Sequence, residues 1–123
     1  MYIWQNEHFF IEQEPHELPW FKIFTHHPYK ELTDIPLQQR NELWQLYSIV
    51  EEEMRSFFKP DKMNMASFAN MLPRVHIHAI ARYEDDSWFP NPVWAERLRE
   101  AKRGPFEFDA FTQRLSNRLK GFT

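Results

Sequence analysis

PRVHIHAIAR, residues 73–82, is the stretch on which the reading of the chain turns. Side chains of a β-strand alternate between two faces. Laid out that way, Val75, Ile77, Ala79, Ala81 and Tyr83 make an apolar face suited to packing on a helix. Arg74, His76, His78, Ile80 and Arg82 share the other face, which puts two imidazoles and two guanidiniums on the side a helix does not cover. A strand apolar on one face needs partners, and the rest of the sequence supplies them.

HFFIEQE (8–14) and WFKIF (20–24) are short, aromatic and β-branched, and read as strands separated by the turn around Pro15 and Pro19. In the second, Lys22 lies on the opposite face from Phe21 and Ile23. MNMASF (63–68) reads as a further strand, and residues 74–83 as the last. From Leu37 to Phe58, apolar residues recur at three- and four-residue steps through Leu43, Trp44, Leu46, Tyr47, Val50, Met54 and Phe57. That spacing predicts one long amphipathic helix ended by Pro60, with Asp34 ahead of Pro36 as its expected start. After Asp86 the chain becomes proline-rich, and weaker helical patterns follow near Val93–Lys102 and Asp109–Leu119. There is no internal repeat and no low-complexity tract. Strands, one inserted long helix, then adjacent strands give an α+β pattern with an antiparallel sheet.

Composition narrows the function classes. The chain has 123 residues, 42% hydrophobic and 17% aromatic, which is too rich for disorder and long enough for one domain with a real core. Its net charge of −3 gives no global basic field, so neither a nucleic-acid polymer nor a membrane is an expected partner. The absence of cysteine removes disulfide and thiolate chemistry and is compatible with a reducing compartment. MYIWQNEHFF has no basic region followed by an apolar one, and no run of about 18 apolar residues occurs, so the expectation is a soluble cytoplasmic protein.

Two chemistries compete for His76 and His78. Histidines two apart on a strand are a familiar arrangement for zinc or iron, which bind neutral imidazole. Arg74 and Arg82 on the same face would repel such a cation, whereas their forked guanidiniums suit phosphate oxygens. The charge pattern therefore favours an anion site, and a solvated face carrying two surface histidines is the plain alternative. Asn64 and Asn70, just upstream, are candidates for phosphate or ribose contact, with ordinary turn or strand-end positions as the plain alternative. His26 and His27 read best as a solvated loop, and His8 and His16 as structural or surface residues. Phe9, Phe10, Trp20 and Phe21 belong either to the core or to a base pocket. SWFPNPVW (87–94) reads as a tail packed over the sheet, a lid or a dimer-crossing arm. Glu51–Glu53 reads as a solvated helix face.

At these residues the chain resembles the histidine triad family of nucleotide hydrolases and transferases, whose motif is His-x-His-x-His followed by Pro-Arg or a similar pair. Aligning Ala81-Arg82 on that pair sets Arg74, His76 and His78 on the three histidine positions, so arginine replaces the first. Asn64 resembles the family's asparagine near ribose and phosphate, and Asn70 sits where a glutamine often precedes the triad. The resemblance implies a histidine triad domain over residues 1–88, with residues 89–123 as a C-terminal extension packed on the same domain. Its fold would be an antiparallel sheet of about five strands with the long helix on one side. It further implies a homodimer, and hydrolysis at the α-phosphate of a nucleoside phosphate or dinucleoside polyphosphate. His76 would be the nucleophile that forms a nucleotidyl-histidine intermediate, His78 a donor to phosphate oxygens, and Arg74 a positive charge for the transition state. No cofactor is required on this reading, and Mg²⁺ enters only with a polyphosphate substrate. Two other classes stay open: a nucleotide- or partner-binding module with weak catalysis, suggested by Arg74, and a metal-binding protein using His76 and His78.

Overall fold

A computed structural model describes residues 2–122. Along the chain run β1 (Tyr2–Gln5), β2 (Phe9–Gln13), β3 (Trp20–Thr25), α1 (Leu37–Phe58), β4 (Lys62–Ala66), β5 (His76–Arg82) and α2 (Phe108–Arg118). The strands form one antiparallel sheet in the order β1-β2-β3-β5-β4, with β5 paired to both β3 and β4. This is the expected α+β architecture: a five-stranded antiparallel sheet, one long helix and a C-terminal helical segment.

α1 holds to the sheet because its stripe is apolar where it meets the strands. Leu43, Leu46, Tyr47, Val50, Met54 and Phe58 are buried in the same core as Ile77, Ala79 and Ala81 of β5. Complete burial of one such aliphatic side chain stabilises by about 1.5–3 kcal/mol. Lys59 closes the helix in the left-handed conformation (φ 52°), and Pro60 cannot extend it. The helix does not start at Asp34. Residues Leu32–Asp34 form a separate 3₁₀ turn in which Asp34 accepts a bond from the Glu31 backbone N–H, and α1 begins after Pro36.

Three further differences from the sequence pattern have local causes. β1 was not anticipated, because four residues give little periodicity. It returns onto β2 through Asn6, whose side chain accepts from the backbone N–H groups of His8 and Phe9. Residues 93–102 form no helix, since their donors go to the preceding loop: Leu98 and Arg99 N–H to the Ser87 carbonyl, Ala101 N–H to Ser87 Oγ. Both faces of β5 are buried rather than one. On the face away from α1, the rings of Trp94 and Phe68 lie 5.2 and 6.5 Å from that of His78. α2, by contrast, forms where expected and drives Phe111 and Leu115 into the main core beside Phe21 and Phe58. No helix among the described residues is long and apolar enough to cross a membrane.

Candidate functional site

Strand register assembles the site. Pairing of β3 with β5 sets Phe24 opposite His76, Lys22 opposite His78 and Trp20 opposite Ile80, all on the face away from α1. The loop between β4 and β5 rises beside this face with Phe68, Asn70, Met71 and Leu72, and Trp94 closes another side. Together they line an open cleft of about 570 Å³ with His76 and His78 in its wall.

The two imidazoles are buried, with ring centroids 5.0 Å apart, yet their hydrogen bonds hold them in different forms. His76 Nδ1 lies 2.9 Å from the Arg74 carbonyl oxygen. A carbonyl only accepts, so Nδ1 carries a proton, and in the neutral ring the lone pair then falls on Nε2. His78 Nδ1 lies 2.9 Å from Trp20 Nε1. An indole N–H only donates, so here Nδ1 accepts and the proton sits on Nε2. Burial lowers the His78 pKa to about 4, with the neighbouring His76 and Lys22 pushing the same way and Glu14 opposing them. One ring thus offers a lone pair and its neighbour an N–H. Phe24 stacks on the His76 ring at 4.8 Å, which fixes its plane.

The arginines stand elsewhere than the charge argument placed them. Arg82 is fully buried: its guanidinium grips Asp86 through two bonds of 2.8 and 3.1 Å and donates a third to Asn64 Oδ1. Burial alone would raise the Asp86 pKa, but Arg82 and the backbone N–H groups of Tyr83, Trp88 and Phe89 outweigh it and hold the carboxyl at about 2. This cluster organises the turn that carries the C-terminal segment and leaves Arg82 without a free edge for phosphate. Arg74 donates to the carbonyls of Thr25 and His26 at 2.5 and 3.1 Å and lies over the rings of Phe10 and Phe24. It backs the His76 side of the sheet and does not line the cleft. The cation in the cleft wall is Lys22, paired with Glu14 at 2.8 Å.

Of the residues singled out in the sequence, His76, His78, Asn70 and Trp20 come together in the cleft, whereas Asn64 is held by Arg82 outside it and Phe9, Phe10 and Phe21 are buried away from the cleft. His26 bonds to the Asn6 carbonyl on the far side of Phe10. Among the described residues no group of three His, Asp or Glu side chains is gathered to hold a metal ion. Lys22, Glu14 and Trp94 were not predicted as site residues. The first had a legible signal, because Lys22 faces away from Phe21 and Ile23 and therefore shares a face with whatever β3 pairs. SWFPNPVW resolves into a buried Trp88 and a Trp94 that packs edge-on against Trp20, His78 and Phe68.

An antiparallel sheet that presents a His-x-His strand to an open cleft, backed by one long helix, defines the class. Residues 5–85 match the family described as HIT domain, and the chain belongs to that family. The fold is similar to a histidine triad protein from Marinobacter aquaeolei, with 24% identity, a TM-score of 0.78, and coverage of 100% of this chain and 90% of that one. A histidine triad protein from Bradyrhizobium japonicum gives 24% identity, a TM-score of 0.77, and coverage of 97% and 90%. A hypothetical histidine triad nucleotide-binding protein from Sulfolobus tokodaii gives 15%, 0.65, and coverage of 97% and 85%. At these identities the likeness establishes the fold. Nothing among curated proteins matches the chain.

Proposed function

We propose that the cleft hydrolyses a nucleoside phosphate derivative at the α-phosphorus through a nucleotidyl adduct on His76. The observation that carries this reading is the bond from His76 Nδ1–H to the Arg74 carbonyl, which in the neutral ring directs the lone pair of Nε2 to the side of the N–H donor of His78. Nε2 attacks phosphorus and the bond to the leaving group breaks, with the electron pair departing on that group. Water then attacks phosphorus and gives up a proton to solvent, the P–N bond breaks with its electron pair returning to Nε2, and the imidazole is regenerated with release of a nucleoside monophosphate. His78 Nε2–H stabilises charge on the phosphoryl oxygens as it spreads in the transition state. Family membership supports nucleotide as the ligand class, and the relative from Sulfolobus tokodaii is described as nucleotide-binding.

Charge refines the substrate. Arg82 is committed to Asp86, Arg74 to two backbone carbonyls, and Lys22 is half-neutralised by Glu14. A cleft so equipped suits a substrate with one phosphate better than a dinucleoside polyphosphate. No cofactor takes part in either step. A homodimer completes the proposal, because the sheet ends in two edge strands, β1 and β4, that need cover.

The second reading is a nucleotide-binding module without turnover. It is favoured by the commitment of Arg74 to the Thr25 and His26 carbonyls, which keeps its guanidinium out of the cleft wall. Incubation with a nucleoside phosphoramidate, followed by quenching and mass spectrometry, separates the two. The proposal requires an acid-labile nucleotidyl adduct lost in His76→Ala; binding with neither adduct nor turnover establishes the module. The metal reading is tested by elemental analysis of protein purified without chelator. One equivalent of zinc, iron or nickel lost in a His76→Ala, His78→Ala double variant would replace the anion site by a metal site.

A further inference from the structure

We infer that Trp20 is a positioning residue that locks His78 in the Nε2–H tautomer, making it a fixed hydrogen-bond donor instead of a proton-transferring acid. The role rests on the reading of the cleft as a phosphoryl-transfer site; the tautomer itself does not.

The geometry is specific. Trp20 Nε1 and His78 Nδ1 are 2.9 Å apart and both side chains are buried. Trp20 is held by its place on β3 and by the rings of His16 and Trp94 at 5.0 and 5.3 Å. Protonating His78 Nδ1 would turn two N–H groups against each other at the 2.9 Å contact with the indole. The charged and titratable groups around His78 are His76 on its own strand, Lys22 on β3 and Glu14 after β2; the first two oppose a second positive charge and only Glu14 favours it. A neutral imidazole is far too weak an acid to surrender Nε2–H in the physiological range, so His78 acts by donation alone. The leaving group then takes its proton from solvent or from the substrate. A carbonyl facing His76 Nδ1 and an indole N–H facing His78 Nδ1 thus set two adjacent histidines of one strand in opposite tautomers.

The test uses full-length protein with ¹⁵N-labelled histidine and long-range ¹H–¹⁵N correlation, His78 being assigned by comparison with His78→Gln. Wild type is expected to show an unprotonated Nδ1 and a protonated Nε2 at pH 7, unchanged down to about pH 5. In Trp20→Phe the donor is gone, and His78 is expected to populate the other tautomer or to titrate about one pH unit or more higher. With substrate, that variant should acquire a new acidic limb in kcat that wild type lacks. A protonated Nδ1 in wild type overturns the inference even if Trp20→Phe does not fold, as does a folded variant with unchanged tautomer and titration. A wild type that shows the stated tautomer but no turnover would instead sink the phosphoryl-transfer reading and leave the lock standing.

Discussion

His76 and His78 lie two residues apart on one strand, and the proposed mechanism gives them separate roles. Removing the nucleophile of a two-step mechanism should be far more costly than removing a donor. His76→Ala is expected to lower kcat by at least about a thousandfold and to abolish the adduct, while His78→Ala retains measurable turnover in a steady-state assay. Equal losses in the two variants would mean that the roles are misassigned. His78 also makes the fold sensitive to acid. It stays neutral in the folded protein to about pH 4, whereas the unfolded chain protonates it near its ordinary 6.5. The unfolded state therefore binds the proton first, and stability that is complete above pH 6.5 falls as pH drops toward 4, by about 3 kcal/mol. His16, lowered by burial against the opposing pull of Glu17 and Glu14, adds in the same direction. Asp86 acts in a lower window. Its stabilisation is present above its ordinary value of 3.8 and is lost as pH falls toward 2. Urea denaturation at pH 7, 5.5 and 4.5 should show the first decline in wild type and a flatter profile in His78→Gln.

At the scale of elements, the Arg82–Asp86 pair joins the end of β5 to the C-terminal segment. Asp86→Ala would leave a buried guanidinium without its counter-charge and three backbone N–H groups without an acceptor. The expected loss is about 3–5 kcal/mol in denaturant titration. Truncating Phe111, which joins α2 to the core, should cost about 3–5 kcal/mol as well. Elements with long periodic runs were legible in the sequence: α1 from its three- and four-residue steps, β5 from strict alternation, α2 from its spaced apolar residues. What escaped lacked period. β1 is four residues held by an Asn6 turn, and residues 93–102 satisfy their backbone through Ser87, a contact no local pattern encodes. The histidine face was legible as one face, but its charges were not. Alternation says that Arg74 and Arg82 point the same way as the histidines, yet it cannot say that Asp86 and the Thr25 carbonyl reach those guanidiniums first. Trp94 was legible only as part of a tail or lid, since its contact with His78 is made by tertiary packing.

For the whole molecule, the sheet is closed at neither end, and Met65 and Phe68 stand exposed along and beyond β4. Light scattering at micromolar concentration should give twice the mass of 15.2 kDa; a mass near that of one chain would leave the edges uncovered and contradict the dimer. The cleft needs no second chain to bring its two histidines together, because β3, β5, the loop before β5 and Trp94 all come from one copy. The chemistry can therefore be tested directly on the protein as it stands. Wild type mixed with a nucleoside phosphoramidate and quenched within the first turnover should yield one nucleotidyl group on a peptide containing His76, acid-labile as a phosphorus–nitrogen bond is. A substrate consumed at full rate with no label on His76, or by His76→Ala as fast as by wild type, would contradict the account.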